Sequence, residues 1–160
     1  MHANSIETPK KTHRAIPAIL WGGLIVGVLD LGYAIVAYGL QGVKPIEIPQ
    51  AIASGLLGVK SFSGGASTAA LGIVLHFFIA FSAAAVYYVA SRKLTFMVRR
   101  AVACGLLYGA CVYIFMHVVV LPLSAEPKFP HHYASMACEF VEHLFFVGLP
   151  IALTVRTYSK

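Results

Sequence analysis

ASMACEFVEHLFFVGLPIALTVR, residues Ala134 to Arg156, is a long apolar stretch with three ionisable groups in its first half. A helix that crosses a bilayer needs about 20 predominantly apolar residues, and this stretch supplies them. Glu139, Glu142 and His143 stand at i, i+3 and i+4, so on a helix they share one face. Ionisable groups at membrane depth are costly, and they turn to a bundle interior or a wet cavity. The stretch therefore needs partner helices that shelter this face. Three further apolar stretches are present, and each brings one ionisable residue of its own: Asp30, His76 and His117.

Composition points the same way. The 160 residues are 59% hydrophobic and 11% charged, with a mean hydropathy of +0.79. A soluble domain is nearer one quarter charged, and a small one has too much surface to hide so many apolar side chains. The length fits one domain. The formal net charge of +6 does not mark a nucleic-acid binder, because the basic residues cluster at the ends of the apolar runs. That placement suits membrane topology and contact with anionic lipid. Cys104, Cys111 and Cys138 lie within apolar runs without metal-ligand spacing, and we expect buried, reduced thiols.

Taken in order, Met1 to Arg14 forms a polar, basic, cytoplasmic segment. The apolar run after it is too long for a signal peptide, so it reads as an uncleaved first span over residues 15–40. Gly23 and Gly27 within it form a GxxxG pair. Residues 42–65 contain an apolar piece too short to cross. It is expected to form a short interfacial helix, with one or two turns on the surface favoured over a re-entrant lid. The second span is expected over 66–91. The third, over 101–123, has a second GxxxG pair at Gly105 and Gly109 and ends at Pro122. The fourth covers 134–156, where Pro150 predicts a kink with a freed carbonyl near Phe146. The expectation is an all-α, antiparallel bundle of four transmembrane helices over residues 15–157, with no separate soluble domain.

Basic residues orient it. Lys10, Lys11, Arg14, Arg92, Lys93, Arg99, Arg100, Arg156 and Lys160 fall on one side, and Lys44, Lys60 and Lys128 on the other. Nine against three predicts both termini in the cytoplasm. At about 1.5 Å of rise per residue, Asp30, His76, Glu142 and His143 lie roughly 15 Å from the outer end of their spans. Glu139 and His117 lie at about 8–9 Å by the same rule. All six fall in the outer half.

Three chemistries suit such a cluster. The carboxylates and imidazoles can pair simply to fix helix register. They can form the ion path of a small channel or transporter, with Asp30, His76, Glu142 and His143 at its centre and Glu139 and His117 as an outer approach. They can bind a metal, with His76, Glu142 and His143 as ligands for Zn, Fe or Mn. Bis-histidine haem between His76 and His143 is a weaker variant, since carboxylates suit a macrocycle poorly. His131, His132, Met136 and Cys138 form a conceivable outer loading site for a soft ion. The ion path is the leading expectation. The GxxxG pairs provide faces for a homo-oligomer or for packing within one chain. No nucleophile elbow, phosphate loop, zinc-protease motif or dinucleotide fingerprint is present, which leans against an enzyme.

DLGYA at Asp30–Ala34, SGLLG at Ser54–Gly58, LHF at Leu75–Phe77 and VGLPIAL at Val147–Leu153 resemble segments of small bacterial inner-membrane proteins of the YagU kind. The resemblance covers most of the chain after residue 15. It implies a bacterial inner membrane and a multi-span fold, and it brings no mechanism.

Overall fold

The computed structural model describes residues 14–127 and 133–159. The described residues are helical or in short connections, without a strand. Four helices are long and apolar enough to cross a membrane: Ala15–Gly39, Gly65–Lys93, Ala101–Leu123 and Ser135–Tyr158. These are the expected spans, with boundaries displaced by one or two residues at most of their ends. Large apolar side chains such as Val28, Val36, Phe78, Val86, Leu107 and Val118 are more than half exposed. In water that surface would be unfavourable at about 25 cal/mol per Å², whereas hydrocarbon covers it without penalty. The chain is a multi-span membrane protein.

Glycine sets how the spans meet. A Cβ at Gly23 would strike Phe81, and one at Gly27 would strike Phe77, so the first pair seats the first span on the second. Gly105 and Gly109 lie against the backbone of the fourth span, where Gly148 faces both of them. Both GxxxG pairs are therefore used within the monomer. Without a hydrophobic drive between helices in lipid, such close backbone approach supplies the packing energy. The second and third spans join through Tyr108, whose hydroxyl donates to the Ala83 carbonyl at 2.7 Å. Its ring stands edge-on to Tyr87 at 5.0 Å.

The apolar core lies in the half of the bundle nearest the connector between the second and third spans. It is built from small side chains, among them Ala18, Ala80, Ala84 and Ala152, with Tyr87, Ile151 and Val155 filling between them. The connector itself contains one helical turn, Phe96–Arg99.

The opposite end is closed by a helix over Glu47–Leu57, continued by a 3₁₀ segment over Gly58–Ser63. At 11 residues it is longer than the one or two turns expected. Gly72 of the second span leaves room for the Pro49 carbonyl, which would overlap any Cβ there. Gln50 is buried and donates to the Gly65 carbonyl at 3.0 Å. The Ala125 N–H, beyond the third span, donates to the Gly55 carbonyl at 2.9 Å. The short helix thus fastens the second span to the segment after the third.

Proline disturbs the last two spans in the same way. Pro150 lacks an N–H and crowds the carbonyl four residues back. The chain responds with a wider, π-helical stretch over His143–Gly148. Pro122 marks the end of the third span as expected, one residue before the last helical residue, Leu123. It too is preceded by a π-helical stretch, Met116–Val120. The cysteines are free as expected, but they are not buried: Cys111 and Cys138 are exposed and Cys104 is half-buried. Cys104 packs at the edge of the apolar core, and Cys138 borders the surface clefts.

Candidate functional site: two carboxylate and imidazole sets

Asp30, His76, His117, Glu139, Glu142 and His143 all lie in the half of the bundle opposite the apolar core. The structure divides them into two sets. The deeper set contains Asp30, Glu142 and His143, which offer one donor atom each, all within 4.8 Å of one another. The His143 Nδ1 stands 2.7 Å from Glu142 Oε2 and 3.0 Å from the Glu139 carbonyl one turn earlier. Both contacts use Nδ1, which leaves Nε2 for a further ligand. The Glu142 side chain is 2% exposed, and its Oε1 has no hydrogen-bond partner among the described residues. Buried polar atoms are nearly always paired, so this oxygen stands out.

His76 adjoins this set at Asp30. Its Nε2 lies 2.9 Å from the Gly27 carbonyl, and its Nδ1 lies 4.0 Å from Asp30 Oδ2. A carbonyl only accepts, so Nε2 carries a hydrogen and Nδ1 is the atom that faces the carboxylate. Both ring nitrogens are turned to protein atoms. The metal set expected from sequence was His76, Glu142 and His143; the structure groups Asp30, rather than His76, with the other two.

The shallower set is centred on Glu139. The Tyr38 hydroxyl donates to Glu139 Oε1, and His117 Nε2 lies 3.7 Å from Glu139 Oε2. His117 Nδ1 donates to the Tyr113 carbonyl at 3.0 Å. Both oxygens of Glu139 are therefore engaged. The Tyr113 ring connects the two sets, with its centroid 4.0 Å from His117 and 5.4 Å from His143. Its hydroxyl donates to the Met136 carbonyl at 3.1 Å, which joins the third span to the fourth.

Two clefts reach these sets from the side of the bundle, between the first and fourth spans. One, of about 530 Å³, is lined mainly by apolar side chains, including Tyr33, Phe145 and Phe146, and has Glu142 in its wall. The other, of about 300 Å³, includes Tyr38, Gln41, Ser135 and Glu139. Tyr33 and Cys138 border both. The loading site expected at His131, His132, Met136 and Cys138 involves two histidines outside the described residues.

Sequence reasoning missed Tyr38 and Tyr113. Tyr38 reads as an interfacial anchor, yet it is the hydrogen-bond donor to Glu139. Its position at the same end of the bundle as Glu139 was the available signal. Local structure explains the placing of His117 and His143, each of which lies at the start of a π-helical stretch. Such wide turns occur mostly as single insertions and often at functional sites.

No family model, no curated protein and no solved structure matches the chain. The chemistry of the site is therefore the ground for a functional reading.

Proposed function

We propose that this protein is a subunit of a small ion- or proton-coupled channel or transporter in a bacterial inner membrane. Asp30, His76, Glu142 and His143 form its ion-binding centre, and Glu139, His117 and Tyr38 form the approach. One observation carries the reading: a deeply buried carboxylate, Glu142, beside Asp30 and His143, keeps an oxygen without a hydrogen-bond partner among the described residues. Leaving a buried polar atom unsatisfied costs about 1–3 kcal/mol. A purely structural carboxylate would be expected to have partners for both oxygens, as Glu139 has in the Tyr38 hydroxyl and, at ion-pair distance, His117.

The bias of basic residues supports an orientation with both ends in the cytoplasm and the polar half outward. Arg92, Lys93, Arg99 and Arg100 then meet anionic headgroups at the inner surface. On the inner side of Gly27 and His76 the bundle is packed with alanine and aliphatic side chains. One chain in this conformation therefore supplies a binding site entered from one side. Passage across the membrane requires a second conformation or a second copy. A second copy would dock on faces other than the two GxxxG pairs, which are already occupied.

Two experiments test the proposal. Reporter fusions at the Arg92–Arg100 connector should read as cytoplasmic, and fusions near Lys60 as external. Proteoliposomes should show proton or cation flux that Asp30→Asn abolishes. Flux that is absent, or equal in wild type and variant, would overturn the transport reading.

A further inference from the structure

We infer that Asp30, Glu142 and His143 form a binding site for a divalent transition-metal ion. This deepens the transport reading and rests on it for the role of the ion; the site itself rests on geometry. Donors on one zinc-sized ion, with bonds of about 2.1 Å, stand roughly 3–4 Å apart. The three side chains already bring donor atoms within 4.8 Å of one another, from two different spans. A small inward movement closes them on an ion.

The buried oxygen is the second, independent observation. Among the described residues Glu142 Oε1 lacks a hydrogen-bond partner, although its side chain is 98% buried, the complement of its 2% exposure. A cation between Asp30 and Glu142 would satisfy it. Two carboxylates also match the charge of a divalent ion, which matters where uncompensated charge is strongly penalised.

Ligand type narrows the ion. One imidazole with two carboxylates suits zinc, manganese or iron(II). Calcium and magnesium favour oxygen ligands in larger number, with magnesium retaining several waters. Outer partners for the ligands are present. The Glu139 carbonyl holds His143 Nδ1 at 3.0 Å, and a protonated His76 would present Nδ1–H toward Asp30 from 4.0 Å. Partners of this kind fix ring tautomer and carboxylate orientation around a metal. The larger cleft, with Glu142 in its wall, borders the site.

The test uses the full chain, purified in mild detergent and stripped with chelator. Titration with Zn²⁺ by calorimetry, and with Mn²⁺ by paramagnetic resonance, should give one ion per chain. Asp30→Asn and Glu142→Gln are close in shape to the native residues, and each should weaken binding by about 100-fold or more. His76→Gln should weaken it by about 10-fold, as befits an outer partner. Helicity and monodispersity of each variant would be measured alongside. In a background with Cys104, Cys111 and Cys138 replaced by serine, His143→Cys should give a cobalt-thiolate absorption band that the background lacks. Binding that persists in both carboxylate variants, absence of stoichiometric metal in wild type, or absence of the cobalt band in a folded His143→Cys protein would overturn the site. Metal binding without flux would defeat the transport reading and keep the site. Proton flux without metal binding would do the reverse.

Discussion

Glu139 and Glu142 sit three residues apart on one helix, yet their surroundings differ. Glu139 is the shallower, with a side chain 21% exposed, and a tyrosine and a histidine from two other spans occupy its two oxygens. The Glu142 side chain is nearly sealed from the surface and pairs with its own chain neighbour His143, while its other oxygen has no hydrogen-bond partner among the described residues. The more costly position is thus the less satisfied one. The comparison separates two roles that composition alone would merge: Glu139 ties spans together, and Glu142 is held ready for something that is not protein.

The strongest way to disturb both at once is at the helix crossing that positions them. At Gly148 a methyl group would overlap the Gly105 carbonyl and the Gly109 backbone. Gly148→Ala should lower unfolding stability by about 3 kcal/mol or more, since backbone on both sides cannot yield easily. Denaturant titration in detergent would measure it, and a loss below 1 kcal/mol would show that the crossing is looser than described.

The central contrast comes next. Glu139→Gln cannot accept from both Tyr38 and His117, and should cost about 1–2 kcal/mol. Tyr38→Phe removes one of the two bonds and should cost about 1 kcal/mol. In combination with His117→Leu it should be non-additive, because both act through Glu139. Smallest of all should be the effect of Glu142→Gln on the metal-free protein, less than about 0.5 kcal/mol, because the oxygen it alters has little to lose. If Glu142→Gln destabilises the protein as much as Glu139→Gln does, the two carboxylates have the same structural role and the contrast fails.

How much of this was legible beforehand depended on the physics involved. Hydropathy depends on length and composition, so the four spans could be read directly. Depth depends on a constant rise per residue, so Asp30, His76, Glu142 and His143 could be assigned one level and Glu139 and His117 another. Rotation of one helix against another is a different matter. It is set by contacts such as Gly27 against Phe77 and Gly109 against the His143 carbonyl, and no single-helix pattern encodes it. That is why sequence could place His76 level with Glu142 but could not show that Asp30 lies next to Glu142 while His76 turns to Gly27. Tyr38 was missed because a tyrosine near a span end has an adequate explanation as an interfacial anchor. A disturbance of the helix at Pro150 was foreseen, as a kink, and a wide turn precedes it; the similar wide turn before Pro122 was not foreseen, since a proline near a helix end usually marks its termination.

The wide turn over His143–Gly148 has a consequence for how the site tolerates change in chain length. A π-helical turn holds one residue more than an α-helical one, and each residue of an α-helix turns the chain by about 100°. The helix after Gly148 is locked by glycine contacts with the third span. Removing one residue within the turn would let it relax to an ordinary α-helix, and the segment before it would then rotate by about 100° against that anchor. Glu139 and Glu142 would swing away from their partners on the other spans toward lipid. The facing of the acidic residues is thus held by a count of residues, not by any one side chain in the turn, so a single deletion there could undo the site while every ligand remained in the sequence.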